Sequence, residues 1–156
     1  MRPTGKLHLG HLLGALKNWV ALQEDHQCVF SIADWHALMS EYENSKALPG
    51  YIMDMAMDWI ACGVDPEKSI IYVQSQIPEV AELAVIFGNL VNTPRLERVP
   101  TLKDVMRDAD IKIPSYGLLG YPVLQAADIL MPRAHLVPVG KDQVSHIEVT
   151  REIARE

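Results

Sequence analysis

Cysteine is scarce in this chain of 156 residues, and long apolar runs are absent from it. The two cysteines, Cys28 and Cys62, lie in apolar stretches and do not form a metal-type pair, so we expect reduced core thiols in a cytoplasmic protein. No apolar run reaches the ~20 residues that a membrane-spanning helix needs, and the first residues lack a signal-peptide pattern. A net charge of −6 argues against broad, nonspecific binding to nucleic acid. These shortages disfavour a disulfide-stapled protein and predict no contact with a membrane.

The glycine-rich motifs that usually mark phosphate sites are missing as well. Gly5-Lys6 is not followed by Ser or Thr, and the upstream glycine of a P-loop is absent. The three-glycine spacing of a Rossmann dinucleotide site is also absent. A nucleotide site in this chain would therefore have to be built from another kind of turn.

Residues 2–15 offer such a turn, because they combine a Pro-Thr-Gly cluster with the start of a helix. Leucines recur at helical spacing after the cluster, which predicts a helix that begins near Gly10. A glycine turn that enters a helix directs free N–H groups and the positive end of the helix dipole at one point, where phosphate binds well. His8 and His11 would add donors there, and Gly10 would let a ligand approach closely. A plain helix start with two surface histidines remains an equally good interpretation.

The rest of the chain alternates between apolar strand-like runs and amphipathic helical runs. Residues 28–33 predict a strand that is buried on both faces. Residues 69–74 predict a second strand, and 135–139 a third. Helices are predicted over 10–24 and 51–62 and from Pro78 onward. This order predicts an α/β fold, a parallel sheet with helices on both faces, in one domain over 1–156. Residues from about 92 to 120 are polar and proline-containing, and we interpret them as a helical insertion.

The run 117–131 predicts another helix, with Pro122 in its first turn. Tyr121, Gln125 and Asp128 are spaced i, i+4, i+7, so they share one helix face. An aspartate among apolar neighbours is costly to bury unless a donor meets it. The carboxylate of Asp128 could bond to the backbone or to a neighbouring arginine, or it could accept an N–H from a ligand, and the sequence leaves these alternatives open.

Four segments carry a resemblance to a known family. Pro-Thr-Gly-x-Leu-His-Leu-Gly-His at 3–11 resembles the first signature of the class I aminoacyl-tRNA synthetases. Ala-Asp-Trp-His-Ala at 33–37, the run from Tyr121 to Leu130 and Val-Pro-Val-Gly-Lys-Asp-Gln at 137–143 resemble the bacterial tryptophanyl-tRNA synthetases, in that family's order and spacing. The resemblance implies a Rossmann-like catalytic domain that uses ATP and Mg²⁺ to join L-tryptophan to tRNA(Trp), in a cytoplasmic homodimer.

The resemblance also implies roles for individual residues. Catalytic residues would be His8 and His11, which face the triphosphate. ATP-binding positions would be Arg2, Pro3, Thr4, Gly10, His11, Gly140, Lys141 and Asp142. The tryptophan pocket would be formed by Asp128, which accepts the indole N–H, together with His36, Tyr121, Gln125, Ile129, Val137, Val139 and Gln143.

The chain departs from the family in several ways. A Lys-Met-Ser-Lys-Ser signature, an anticodon-binding domain and a strand before Arg2 are not found, and Lys141 stands where many members have an acidic residue. We therefore expect an internal piece of the catalytic domain that catalyses poorly or not at all by itself. Two other hypotheses are kept: a nucleotidyltransferase of the same fold that acts on a small metabolite, and a noncatalytic fragment that serves binding or assembly.

Overall fold

A computed structural model describes residues 1–108 and 110–156. The chain divides into two compact units, Met1–Gln76 and Ile77–Glu156. In the first unit the elements are α1 (Leu9–His11), a π-helical turn (Leu12–Leu16), α2 (Lys17–Leu22), β1 (Val29–Ile32), α3 (Asp34–Ser40), a 3-10 helix (Tyr42–Ala47), α4 (Leu48–Ala61), β2 (Ile70–Val73) and a 3-10 turn (Gln74–Gln76). In the second unit they are α5 (Pro78–Phe87), α6 (Thr93–Glu97), α7 (Pro100–Asp108), α8 (Tyr116–Leu130), a 3-10 turn (Lys141–Gln143) and α9 (Val144–Ile153).

The first unit contains the two strands that the sequence predicted most clearly. Within the described residues, β1 and β2 form a two-stranded sheet, and they pair in parallel with Val29 opposite Ile70. Parallel strands need a crossover connection, and the segment from α3 through α4 supplies it. The backbone of Met1 lies along β1, because its ammonium donates to the carbonyl of Ser31 (2.7 Å) and its carbonyl accepts from the amide of Ala33 (2.8 Å).

Large side chains from helices and strands fill the core of the first unit. Trp59 of α4 is fully buried, and Trp19 of α2 meets it edge-to-face at 5.1 Å while stacking on Phe30 of β1 at 4.8 Å. Burying an aromatic or aliphatic side chain of this size stabilises the fold by about 1.5–3 kcal/mol. The apolar stripe predicted over 51–62 is thus a core stripe, since Met55 and Trp59 are its buried members.

The second unit is built around α8, which packs against α5, α6 and α9. The side chain of Ser115 caps the start of α8 by accepting from the amide of Leu118 (3.1 Å). The backbone of Arg133 ends α8. Its φ of 54° is left-handed, and its amide donates to the carbonyl of Leu130. Val99, Ala126, Val149 and Ile153 form the buried cluster that joins these helices.

Two local predictions were wrong. Pro122 lies in the interior of α8 rather than in its first turn, because Ser115 caps the helix well upstream. Residues 135–139 form no strand within the described chain, since no neighbouring strand pairs with them there.

The predicted insertion does contain short helices, α6 and α7. Cys28 and Cys62 carry free thiols, and burial raises the pKa of the Cys28 thiol, which disfavours the reactive thiolate. Among the residues that the structure describes, no helix is both long enough and apolar enough to cross a membrane.

Candidate nucleotide and amino-acid binding sites

The predicted site residues divide between the two compact units. The first unit holds Arg2, Pro3, Thr4, His8, Gly10, His11 and His36. The second unit holds Tyr121, Gln125, Asp128, Ile129, Val137, Val139, Gly140, Lys141, Asp142 and Gln143.

The two histidines of the first unit form a capping pair at the start of α1. The amide of Gly10 donates to Nδ1 of His8 (3.1 Å), and the amide of His8 donates to Nδ1 of His11 (3.3 Å). Their ring centroids lie 4.1 Å apart. Because both Nδ1 atoms accept, each neutral imidazole carries its hydrogen on Nε2. The pair therefore presents two Nε2–H donors at the start of a helix, which suits an anion.

The electrostatics of this corner keep His11 in its neutral form. Burial lowers the pKa of His11 below its ordinary value of 6.5, and the neighbouring His8 lowers that pKa further. Two imidazolium charges at this spacing would repel each other. The lowered pKa thus favours the neutral imidazole of His11, which can offer its Nε2–H as a donor.

Gly10 lies against the imidazole ring of His8. A Cβ built on Gly10 would lie 2.8 Å from Cε1 of His8, so the missing side chain makes room for the imidazole ring. Just upstream, Pro3 is fully buried, whereas Arg2 and Thr4 are exposed. The amide of Thr4 closes this turn by donating to the carbonyl of Arg2 (3.1 Å). Buried Pro3 therefore anchors a turn whose polar side chains face solvent.

His36 is buried in the first turn of α3, just beyond the end of β1. The amides of Trp35 and His36 both donate to Oε1 of Gln74, at 3.1 and 3.4 Å. Gln74 has no exposed surface and follows directly after β2. Gln74 was not predicted as a site residue, although a polar residue at the carboxyl end of a parallel strand lies where open α/β sheets bind ligands. Gln74 holds the start of α3, and with it His36.

The predicted polar face of α8 exists in the second unit. Tyr121, Gln125 and Asp128 are half-buried, as is Ile129. The opposite face of the helix is fully buried through Val123, Leu124, Ala126 and Ala127. Because of the i, i+4, i+7 spacing, the three polar side chains lie on one partly open surface of an otherwise apolar helix.

The segment 137–143 approaches α9 through a glycine turn. Val137 is half-buried, while Val139 is 39% exposed. Gly140 precedes the 3-10 turn, and a Cβ on Gly140 would lie 2.5 Å from Oδ1 of Asp142. The other carboxylate oxygen, Oδ2, accepts from Nε2 of Gln143 (2.6 Å). Lys141 and Asp142 are exposed, as expected for groups that would contact a soluble ligand.

Two residues that the sequence analysis did not single out connect this turn to α8. His146 of α9 lies 2.7 Å from Oε1 of Gln143 through Nδ1 and 2.6 Å from the hydroxyl of Tyr121 through Nε2. Thr101 of α7 contacts both Tyr121 and His146. The i, i+3 spacing of Gln143 and His146 was the available signal in the sequence, whereas nothing local indicated Thr101.

Comparisons with known proteins match the whole chain. Residues 1–156 match the family model of the tRNA synthetases class I (W and Y). The tryptophan–tRNA ligase of Thermotoga maritima is 56% identical over 99% of this chain and 48% of its own length. The corresponding ligase of Treponema pallidum is 52% identical over 99% of this chain and 46% of its own length. The chain therefore spans about half the length of the curated relatives it matches.

Solved structures agree with the sequence comparisons. Tryptophanyl-tRNA synthetase from Campylobacter jejuni, solved with ADP and tryptophan, superposes with a TM-score of 0.90 at 40% identity over 99% of this chain and 48% of its own. A tyrosyl-tRNA synthetase from Archaeoglobus fulgidus shares the fold, with a TM-score of 0.82 at 22% identity over 97% of this chain and 47% of its own. These matches bear out the predicted Rossmann-like α/β class. The protein belongs to the class I tRNA synthetases of the tryptophan and tyrosine group.

Proposed function

We propose that this chain binds L-tryptophan and ATP as the amino-acid-activating part of a tryptophan–tRNA ligase. Its relatives with 52–56% identity bear that name, and the similar structure from Campylobacter jejuni holds ADP and tryptophan. The observation that carries the proposal is the half-open polar face of α8, where Asp128 stands on an otherwise apolar helix.

The chemistry of tryptophan explains why a carboxylate suits this face. An indole has one N–H donor and no acceptor, so a carboxylate is the matching partner. A site built around that donor rejects phenylalanine by leaving its own carboxylate unpaired, and discrimination of this kind can reach ~10⁴–10⁵. Asp128 would accept the indole N–H, and the other pocket residues of the second unit would be Tyr121, Gln125, Ile129, Val137, Val139 and Gln143. The family resemblance alone assigns His36, in the first unit, to tryptophan binding.

The histidine corner is the proposed triphosphate site. Its Nε2–H donors, the start of α1 and the side chains of Arg2 and Thr4 would stabilise negative charge on the phosphates. The family resemblance alone assigns Pro3, and in the second unit Gly140, Lys141 and Asp142, to ATP binding. In the reaction, a carboxylate oxygen of tryptophan forms a bond to the α-phosphorus of ATP while the bond to pyrophosphate breaks. A hydroxyl of the terminal ribose of tRNA(Trp) then forms an ester bond with the carbonyl carbon of the tryptophanyl group, while the bond to AMP breaks and AMP leaves. Positioning and charge stabilisation supply the rate of such displacements, without covalent help from the protein.

Further parts of the proposal rest on the family alone. Mg²⁺ is implied as a companion of ATP, but the described residues contain no group of three or more His, Cys, Asp or Glu side chains that could hold a metal ion, so we assign it no protein ligand. A cytoplasmic homodimer is proposed on the same basis. Self-association is supported by exposed apolar side chains on α5, where Val85 is 73% and Ile86 57% exposed.

Calorimetric titration with L-tryptophan and with 1-methyltryptophan, which lacks the N–H donor, tests the assignment. The wild-type chain should bind tryptophan more tightly than the methylated analogue. Asp128→Ala should weaken tryptophan binding by about 10- to 100-fold, the worth of a hydrogen bond to a charged group, and should abolish the difference between the two ligands. Glu97→Ala, which removes an exposed acid on α6, is the matched control. Equal binding of tryptophan by wild type and Asp128→Ala would contradict the proposal.

A further inference from the structure

A fully buried histidine on α9 connects three separate elements of the second unit. His146 has no exposed surface. Its Nε2 lies 2.6 Å from the hydroxyl of Tyr121 on α8 and 2.5 Å from that of Thr101 on α7. Its Nδ1 lies 2.7 Å from Oε1 of Gln143, in the turn that precedes α9. The ring planes of Tyr121 and His146 are perpendicular, with centroids 4.9 Å apart.

The contacts of Gln143 fix where the proton of this imidazole resides. Nε2 of Gln143 donates to the carboxylate of Asp142 (2.6 Å), and this sets the orientation of the amide. Oε1 of Gln143 therefore faces His146 as an acceptor, so Nδ1 must donate to it. In the neutral ring Nε2 then carries a lone pair and accepts from a hydroxyl.

The two hydroxyls complete the arrangement. Thr101 and Tyr121 lie 2.6 Å apart, so one hydroxyl donates to Nε2 and the other donates to its neighbour. Each member of this group polarises the next, and a buried chain of this kind is worth more when every member is satisfied. The group runs from Asp142 through Gln143 and His146 to Tyr121 and Thr101.

We propose that His146 is a positioning residue, which fixes the Tyr121 hydroxyl and the Gln143 amide in the orientation that binds the amino acid. The inference rests on the proposed function, because Tyr121 and Gln143 are half-buried members of the tryptophan pocket while His146 is wholly buried behind them. One imidazole thereby aligns two pocket residues that come from different elements, and its Nδ1–H tautomer is essential to that role.

The first experiment measures the tautomer in the ligand-free wild-type chain, by ¹⁵N–¹H correlation of the histidine ring nitrogens at neutral pH. We expect Nδ1 of His146 to be protonated and Nε2 to be unprotonated. A ring protonated at Nε2 alone overturns the inference, because such a ring cannot donate to Gln143. This measurement needs neither a variant nor a bound ligand.

The second experiment is a double-mutant cycle on tryptophan affinity, measured by calorimetry. His146→Asn and Tyr121→Phe should each weaken binding by about tenfold, and the double variant should be little weaker than either, because coupled residues are not additive. Thr150→Val is the control: Thr150 is also buried on α9, but its hydroxyl bonds to the backbone carbonyl of His146 (2.9 Å) and not to the ring. It should change affinity by less than about twofold, as expected for a site outside the network.

The outcomes separate the two proposals. If wild type binds tryptophan and His146→Asn binds it equally well, the inference fails and the proposed function stands. If wild type does not bind tryptophan, the proposed function fails and the pocket role of His146 fails with it, whatever the tautomer. Additive losses in the cycle also overturn the inference, because they would show that His146 acts independently of Tyr121.

Discussion

Gly10 and His8 are fitted to each other: the Gly10 amide donates to Nδ1 of His8 across 3.1 Å, and a Cβ on Gly10 would come within 2.8 Å of Cε1 of that ring. A separation below 3.0 Å is one that real Cβ atoms essentially never show. Any side chain at position 10 must therefore displace the imidazole that caps the helix.

Gly10→Ala should accordingly weaken ATP binding by about tenfold, the worth of one or two lost hydrogen bonds to a charged ligand. Gly14→Ala is the matched control, since a Cβ at position 14 meets nothing within 4 Å. It should bind ATP normally and gain up to about 1 kcal/mol of stability, because alanine loses less conformational entropy on folding. Calorimetric titration with ATP measures the first effect and urea unfolding the second. Normal ATP binding by Gly10→Ala would contradict the role given to His8.

His11 should make stability depend on pH in the weakly acidic range. Its folded pKa lies below 6.5, because of burial and of the neighbouring His8, so below pH 6.5 the unfolded chain binds more protons than the folded chain. The free energy of unfolding therefore falls as pH drops below 6.5 and levels off once the pH is below the folded pKa. His11→Gln should lack this contribution. Urea unfolding of both proteins over a pH series checks this, and a difference in stability that does not change with pH would show it to be wrong.

Gln74 is predicted to stabilise the first unit more than its position on a short turn suggests. Gln74→Ala leaves two amides, those of Trp35 and His36, without their side-chain acceptor. Each buried unsatisfied group costs about 1–3 kcal/mol, so we expect a loss of roughly 2–4 kcal/mol in urea unfolding. Gln76→Ala, an exposed position on the same turn, is the control and should change stability by less than about 0.5 kcal/mol. Similar losses in the two variants would refute the role of Gln74.

Arg95 and Glu152 join α6 to α9 through a two-pronged ion pair, in which Nε and a terminal nitrogen of the guanidinium each lie 2.9 Å from a carboxylate oxygen. The side chains of Arg95 and Glu152 are 21% and 49% exposed. We therefore expect a coupling free energy of about 0.5–1 kcal/mol from a double-mutant cycle with Arg95→Gln and Glu152→Gln. The hydrogen bond from Arg95 is the main cause that lowers the pKa of Glu152 below 4.5. The coupling should therefore be present above pH 4.5 and disappear as pH falls through the lowered pKa. A coupling that persists in strong acid would exclude an ionic origin.

Periodicity predicted those parts of the fold that depend on one segment at a time. The strands around Phe30 and Ile71 and the core stripe of α4 follow from apolar spacing, because a strand or helix buries whichever face its own sequence makes apolar. The first strand was expected to be buried on both faces, but only Phe30 and Ile32 are buried there, while Val29 is 39% exposed. Pro122 was placed wrongly because proline suits a first turn in general, whereas here the helix begins at Tyr116, after the capping residue Ser115. Residues 135–139 are rich in strand formers, but a strand also requires a pairing partner, and local sequence does not supply one.

The sequence likewise predicted the site residues whose contacts are local and missed those whose contacts are distant along the chain. His8, Gly10 and His11 were found because they are adjacent in sequence and their contacts are local. The hydrogen bonds of His146 to Tyr121 and Thr101 span 25 and 45 positions, and the contact of Gln74 with His36 spans 38. Such contacts are determined by tertiary packing, so a pattern along one segment cannot reveal them.

The π-helical turn Leu12–Leu16 sets how the residues before it are rotated around the helix axis relative to those after it. A π turn holds an extra residue, and each residue of a regular helix advances the chain by roughly 100° around the axis. The histidines before this turn are thereby rotated with respect to Trp19 of α2, which packs against Phe30 and Trp59. Deleting Gly14 would convert the π turn to a regular α-helical turn. The imidazoles would then point in another direction around the helix axis, while the indole of Trp19 would stay in place. The direction in which the imidazoles of His8 and His11 point is thus set by the number of residues between them and Trp19.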